Sequence, residues 1–189
     1  MAARKLSTVG AARREQILDA ARDLFSIKGY RGASLRDVAA QVGLTPAGVL
    51  HYFPSKEALL AAVLQQRDDT DIPWFETTWA QAGSFREATR ELMARNMAAA
   101  GVMRLFVTLS AEAVDPRHPA HEFFRHRYRT SRELFSSTLD KAKSRGEVSD
   151  TAMGPVLIAV LDGLQTQWLL EPDFDLLASL DDYLDTIAP

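Results

Sequence analysis

Apolar positions recur along this chain at three- and four-residue intervals, the spacing of one face of a helix, and no long stretch alternates in the manner of a strand. Ile17, Leu18, Ala21, Leu24 and Phe25 mark the first stripe, which predicts a helix over residues 11–28 with Gly29 as its stop. Ser34 opens a short second helix: its hydroxyl suits the free amides of a first turn, and Asp37 completes an S-x-x-D start. Leu35, Val38, Ala39 and Val42 form the expected buried face, and Gly43 ends it. After Leu44, Thr45 caps a third helix with Pro46 at its first position, where a missing N–H has no partner to lose. That helix runs to about Tyr52. Pro54 breaks it, and Ser55 caps a fourth carrying Leu59, Leu60, Val63 and Leu64. Two short helices joined by a glycine turn and braced by a longer one form the helix-turn-helix pattern, here over residues 34–53.

The remainder also reads as helix. Ser84-x-x-Glu87 is a capping-box start for a helix to about Ala100. Gly101 is the expected interruption before a helix over 102–114, and Pro116 and Pro119 bracket a turn. A long helix over 120–144 ends at Arg145-Gly146. Ser149 or Asp150 is the expected cap of a helix over 152–170 that is apolar around most of its circumference. Pro172 ends it, and Asp173 or Asp175 starts a last helix carrying Leu176, Leu177, Leu180, Tyr183, Leu184 and Ile187. The fold class is all-α: an N-terminal three-helix helix-turn-helix domain plus a C-terminal helical bundle, about nine helices in total.

Composition narrows the function. In 189 residues, 47% are apolar, enough for a core, and there is no cysteine, which excludes disulfides, thiolate metal sites and a cysteine nucleophile. The longest apolar run, 155–161, is far short of the ~18 residues that cross a bilayer. The first ten residues lack the apolar stretch of a signal peptide, so a cytoplasmic chain with no membrane partner is expected. Net charge is −3, which alone argues against a nucleic-acid partner. The charge is unevenly spread, however. Residues 1–67 hold 10 basic and 5 acidic side chains, and residues 68–189 hold 12 and 20. The basic third coincides with the helix-turn-helix pattern, so two independent signals point to a polyanion.

The stretch GYRGASLRDVAAQVGLTPAGVLHYFPSKEALL, residues 29–60, preceded by RREQILDAARDLF, resembles the DNA-binding segment of TetR-family transcriptional regulators. The resemblance is dense over residues 13–64 and continues beyond 67 mainly as helix layout. It implies a homodimeric regulator, usually a repressor, released from double-stranded operator DNA by a small-molecule effector, with no cofactor. The implied division is a flexible basic arm at 1–10, a DNA-binding domain at 11–67 and a ligand-binding and dimerisation domain at 68–189.

On this reading the third helix enters the major groove. Thr45, Ala47, Gly48 and His51 face outward, while Val49, Leu50 and Phe53 are on the packing side. Many relatives carry threonine at the place of Gly48, tyrosine at the place of Leu50 and a polar or basic residue at the place of Pro46, so this helix is poor in hydrogen-bonding groups. Thr45 or Ala47 suits contact with a thymine methyl, and Arg36 matches the place of a guanine-contacting arginine. His51, Tyr52 and Lys56 look like phosphate contacts, and Arg4 and Lys5 form the arm. The alternative is a helical small-molecule-binding protein whose helix-turn-helix no longer reads DNA.

All three tryptophans and every methionine but Met1 fall within residues 68–170. An apolar pocket lined by Trp79, Met97, Phe106, Phe124 and Trp168, with Glu112, Arg127, Tyr128 and Gln165 as its polar groups, is the expected effector site. The same stripes serve equally as plain core. His118, His121 and His126 invite a metal, but the spacing of five between the last two does not align on a helix, and no metal is expected. There is no phosphate loop, nucleophile elbow or H-E-x-x-H, and no enzyme is expected. The apolar circumference of the 152–170 helix points to a dimer interface through Leu157, Leu161, Gly163 and Leu164, with Leu177, Leu180 and Leu184 of the last helix.

Overall fold

A computed structural model of the chain describes residues 8–149 and 152–188. The chain divides into two compact units, residues 1–67 and 68–189. Among the described residues there are nine α-helices and no strand.

The first unit contains α1 (Thr8–Gly32), α2 (Leu35–Gln41), α3 (Pro46–Tyr52) and the start of α4 (Lys56–Gln81). Arg4 and Lys5 lie outside the described residues, but Thr8, Val9 and Gly10, expected in the arm, are the first turn of α1. Regular helix in α1 breaks at Gly29, whose φ of +71° lies in the left-handed region. The capping box of α2 is complete. The Ser34 hydroxyl accepts from the Asp37 N–H at 3.2 Å, and the Asp37 carboxylate accepts from the Ser34 N–H at 2.8 Å. Gly43, at φ +66°, turns the chain between α2 and α3, a conformation open to a residue without Cβ. Thr45 Oγ1 accepts from the Gly48 N–H at 3.1 Å and Ser55 Oγ from the Ala58 N–H at 3.1 Å, so α3 and α4 both start on side-chain caps. Ile17, Leu18, Phe25, Val38, Val49 and Leu60 are fully buried, while Leu35 and Val42 are only half-buried. Arg13 reaches across to donate to the Val42 carbonyl at 3.3 Å, and Gln66 on α4 donates to Glu15 on α1 at 2.7 Å. The first bond braces the helix-turn-helix against α1, and the second ties α4 to α1.

The second unit adds α5 (Phe85–Ala98), α6 (Ala100–Glu112), α7 (His121–Ser144), α8 (Gly154–Leu170) and α9 (Leu176–Thr186). The helix α4 continues through Pro73. Burial explains its persistence: the Phe75 ring lies 5.2 Å from Phe135, and Trp79 lies 5.8 Å edge-on to Phe85. The break before α6 falls at Ala99 (φ −108°, ψ 42°), not at Gly101, which lies inside the first turn of α6. The two helices meet at 96°. Ser84 caps α5 by accepting from the Glu87 N–H, but the Glu87 carboxylate accepts from Gly83 rather than Ser84, so the box is not reciprocal.

The cap expected for α8 is replaced too. Asp150 lies outside the described residues, and Ser149 gives its N–H to the Ile187 carbonyl at 2.7 Å. The helix starts at Gly154 with Pro155 in its first turn and Met153 at the cap, without a side-chain bond. A Cβ at Gly154 would sit 2.6 Å from Ser136 Oγ and 2.7 Å from the Ser136 nitrogen, so α7 and α8 approach each other over a bare backbone. Asp175 caps α9 by accepting from the Ala178 N–H at 2.9 Å.

Packed against α6, α7 and α9, α8 has two distinct faces. Leu157, Leu161 and Leu164 point into the chain's own core, as do Leu180 and Leu184 of α9. These five residues, expected at a dimer interface, are already covered by their own chain. Gly163 and Leu177 remain partly exposed. The less covered side carries Met153 at the cap and Val156, Gly163 and Leu170 along α8, each pair in the helix seven residues apart, while Val160 between them is partly buried against the core. Met153 is 57% exposed, Val156 41% and Leu170 81%.

Candidate nucleic-acid interface

In the seven residues of α3, the 100° step per residue separates a core side from an outer side. Val49 and, four residues on, Phe53 are buried. Thr45, Pro46, Ala47, Leu50 and His51 are exposed, and Gly48 and Tyr52 are partly so. Leu50 therefore departs from expectation: it is 42% exposed and stands on the outer face rather than the packing side. The signal lies in the spacing, since 46 and 50 are one turn apart, as are 49 and 53. The Thr45 hydroxyl is engaged in capping, and the His51 ring stands edge-on to Tyr52 at 5.5 Å.

Arg36 is exposed on α2 and makes no ion pair or hydrogen bond among the described residues. Lys28, by contrast, is paired with Asp37 at 3.0 Å. Hydrogen bonds from the Ser34 side chain and Lys28, then the Ser34 backbone, hold the Asp37 carboxyl at about 2, well below the usual carboxylate range. Lys56 sits at the start of α4 with Nζ 4.3 Å from the centre of the Tyr30 ring. Burial, then the Glu57 charge that accepts its hydroxyl at 3.2 Å, pushes Tyr30 up to about 12. The ammonium of Lys56 is thus seated on an aromatic face, a positioning by Tyr30 that residue spacing alone does not reveal. Arg14 lies over Phe53 at 5.0 Å in the same way.

The residues expected to form an effector pocket do not gather in one place. Trp79 lies against Phe85 and under Arg145, and with Met97 and Trp168 belongs to the main core. Phe106 and Phe124 stack edge-to-face with Phe123, and Arg127 lies 5.0 Å over the Phe106 ring. Arg127 also pairs with Asp68, a buried carboxylate that no sequence motif singles out. Beside it, Tyr128 donates to Asp162 at 2.8 Å. Burial raises the Asp162 carboxyl above its usual range and pushes Tyr128 up to about 12. Gln165 donates to the Leu161 carbonyl one turn back, and Glu112 faces His118 at 3.4 Å. So Phe106, Phe124, Arg127 and Tyr128 come together with Asp68 and Asp162, whereas Trp79 sits elsewhere. A cavity of about 210 Å³ beside the start of α5, lined by Arg86, Glu147 and Leu184 among others, includes none of the expected pocket residues.

His121 Nδ1 lies 2.8 Å from the Ala113 carbonyl, and among the described residues no three histidine or acidic side chains converge as metal ligands. Among those residues no single helix is long and apolar enough to cross a membrane.

Residues 17–63 match the profile described as "Bacterial regulatory proteins, tetR family". Over 152 residues the chain is 26% identical to the HTH-type transcriptional regulator UidR of Escherichia coli (strain K12), covering 78% of this chain and 76% of that one. Over 62 residues it is 45% identical to the HTH-type transcriptional regulator RutR of the same strain, 33% of this chain and 29% of the other. Its fold superposes on a TetR-family transcriptional regulator from Agrobacterium tumefaciens with a TM-score of 0.80, at 20% identity and over 95% and 99% of the two chains.

Proposed function

We propose that this chain is a regulator of the TetR family, whose profile its residues 17–63 match, and that it is a cytoplasmic, ligand-released repressor acting as a homodimer on a pseudo-palindromic operator. The observation that carries this reading is the outer face of α3, left uncovered in the basic unit with exposed Arg36 one helix away. A short helix held by a glycine turn and side-chain caps is a rigid probe, and the major groove has the width to admit it. In this reading Arg36 addresses a guanine, while His51, Tyr52 and Lys56 hold phosphates. Lys56 contacts DNA from its seat on Tyr30.

Dimerisation is assigned to the less covered side of α8, through Met153 at its cap, Val156 and Gly163. A two-fold interface is self-complementary, and a Cβ at Gly163 would meet nothing within 4 Å, so that position admits a closely packed mate. The effector is assigned to the interior of the second unit around Phe106, Phe124, Arg127, Tyr128 and Asp162. An amphipathic molecule suits that mixture of rings and buried polar groups.

The competing reading is a helical binding protein whose helix-turn-helix no longer reads DNA, and what favours it is the shortage of hydrogen-bonding side chains on α3. A mobility-shift assay on duplexes from the upstream region of the protein's own gene separates the two. The repressor reading expects a retarded dimer complex with half-sites about 34–36 Å apart, released by effector. Equal affinity for every duplex would overturn it.

A further inference from the structure

We propose that the outer face of α3 reads the 5-methyl groups of thymine, with Leu50 as the side chain that sets specificity. The inference rests on the reading that α3 enters the major groove, and it names what the helix recognises there. Between Thr45 and His51, the outer positions are Pro46, Ala47 and Leu50, none with a hydrogen-bonding side chain. Gly48 has no side chain, and Val49 is buried. The Thr45 hydroxyl already accepts the Gly48 N–H, and the His51 ring stands against Tyr52. The middle of the helix therefore cannot exchange the paired donors and acceptors that distinguish most base edges.

The major groove offers one apolar mark, the thymine methyl, and apolar side chains are its recognised partners. Leu50 fits that mark. It is a large aliphatic residue, 42% exposed in the free chain, on the turn following Pro46 and Ala47. A leucine in that place gains only part of the burial a core leucine has, because 42% of it stays exposed on its own chain. In a groove it would be buried against a methyl group, and the exposed Pro46 and Ala47 would extend the same apolar strip. The charged side chains lie at the margins: Arg36 on α2 and Lys56 on α4. They supply guanine and phosphate contacts, so the apolar strip carries the discrimination that the missing polar residues would otherwise provide. The expected half-site is one with thymines clustered on adjacent steps.

The test uses the full-length protein and a random duplex pool. Repeated selection yields a consensus, and each thymine in it is then replaced singly by uracil, which differs only by the missing methyl. Where a methyl is read, affinity should fall about fourfold, the factor matching burial of one methyl-sized group. Leu50→Ala should weaken the parent duplex and abolish the uracil penalty at one position of each half-site, leaving the melting temperature unchanged because the residue is exposed. A specific consensus with no uracil penalty, or with penalties that survive Leu50→Ala, would overturn the role of Leu50 while leaving the regulator intact. Failure to enrich any consensus would overturn the DNA-binding reading, and this inference with it.

Discussion

Two helices of this protein, α3 and α8, leave apolar side chains uncovered in opposite electrostatic settings. On α3, Leu50 and Ala47 stand outward in a unit that carries five more basic than acidic side chains. Along α8, Met153, Val156 and Leu170 are exposed in a unit with eight more acidic than basic side chains. The first surface is small and lies near exposed cations, which suits a polyanion that offers a few methyl groups. The second is longer, periodic and free of basic side chains, which suits another copy of itself. An uncovered apolar residue is thus informative only together with the charge around it.

The sharpest test of the two faces of α8 is a pair of charges on adjacent residues. Leu157→Glu places an unpaired carboxylate in the core and should cost about 3–5 kcal/mol, enough to unfold the second unit in a denaturant titration. Val156→Glu, on the less covered side, should stay folded yet sediment as a monomer and lose operator binding. If both variants unfold, or if Val156→Glu remains a dimer, the assignment of faces is wrong. Gly154→Ala probes the close approach of α7 and α8. Its Cβ would meet backbone at 2.7 Å, and the expected loss is about 1–3 kcal/mol of stability.

Much of this contrast is legible in the amino-acid sequence, but unevenly. Caps are legible at Ser34, Thr45, Ser55, Ser84 and Asp175, because a cap is a bond between a side chain and an amide two or three residues away. The turns at Gly29, Gly43 and Gly146 are legible because all three adopt positive φ. What escapes a sequence pattern is decided by distant contacts. The continuation of α4 past Pro73 depends on Phe75 and Trp79 being buried against α5 and α7. The break at Ala99 lies in an alanine-rich stretch with no local stop signal. The side of α8 facing inward cannot be told from a helix apolar all round, so the pattern assigns to an interface Leu157 and Leu161, which their own chain already buries. Leu50 misleads because a leucine in a short helix reads as core by default.

Smaller effects distinguish the two units by their caps and pH response. Ser34→Ala should remove about 1 kcal/mol from the first unit, measured as a lowered melting temperature. Asp37 binds its proton more weakly in the folded chain than unfolded, so its contribution is complete above the usual carboxylate range and is lost as pH falls toward 2. Asp162 has the opposite sign: its raised pKa favours the folded state at low pH, and that advantage disappears as pH rises through the folded value. Asp37→Asn should therefore flatten acid destabilisation, and Asp162→Asn should improve stability near neutral pH. A pH–stability profile of each variant checks both signs.

If the first unit binds DNA by neutralising phosphates around a sequence-reading helix, binding must depend steeply on salt. Fluorescence anisotropy of the selected duplex and of a scrambled one, across a range of salt concentrations, gives the slope of log affinity against log salt. A steep negative slope of about −0.9 per neutralised phosphate is expected for both duplexes. The selected duplex should bind more tightly throughout, and Lys56→Ala should reduce the slope by about one for each lysine removed. A slope near zero, or equal affinity for the two duplexes at every salt concentration, would contradict this mode of binding.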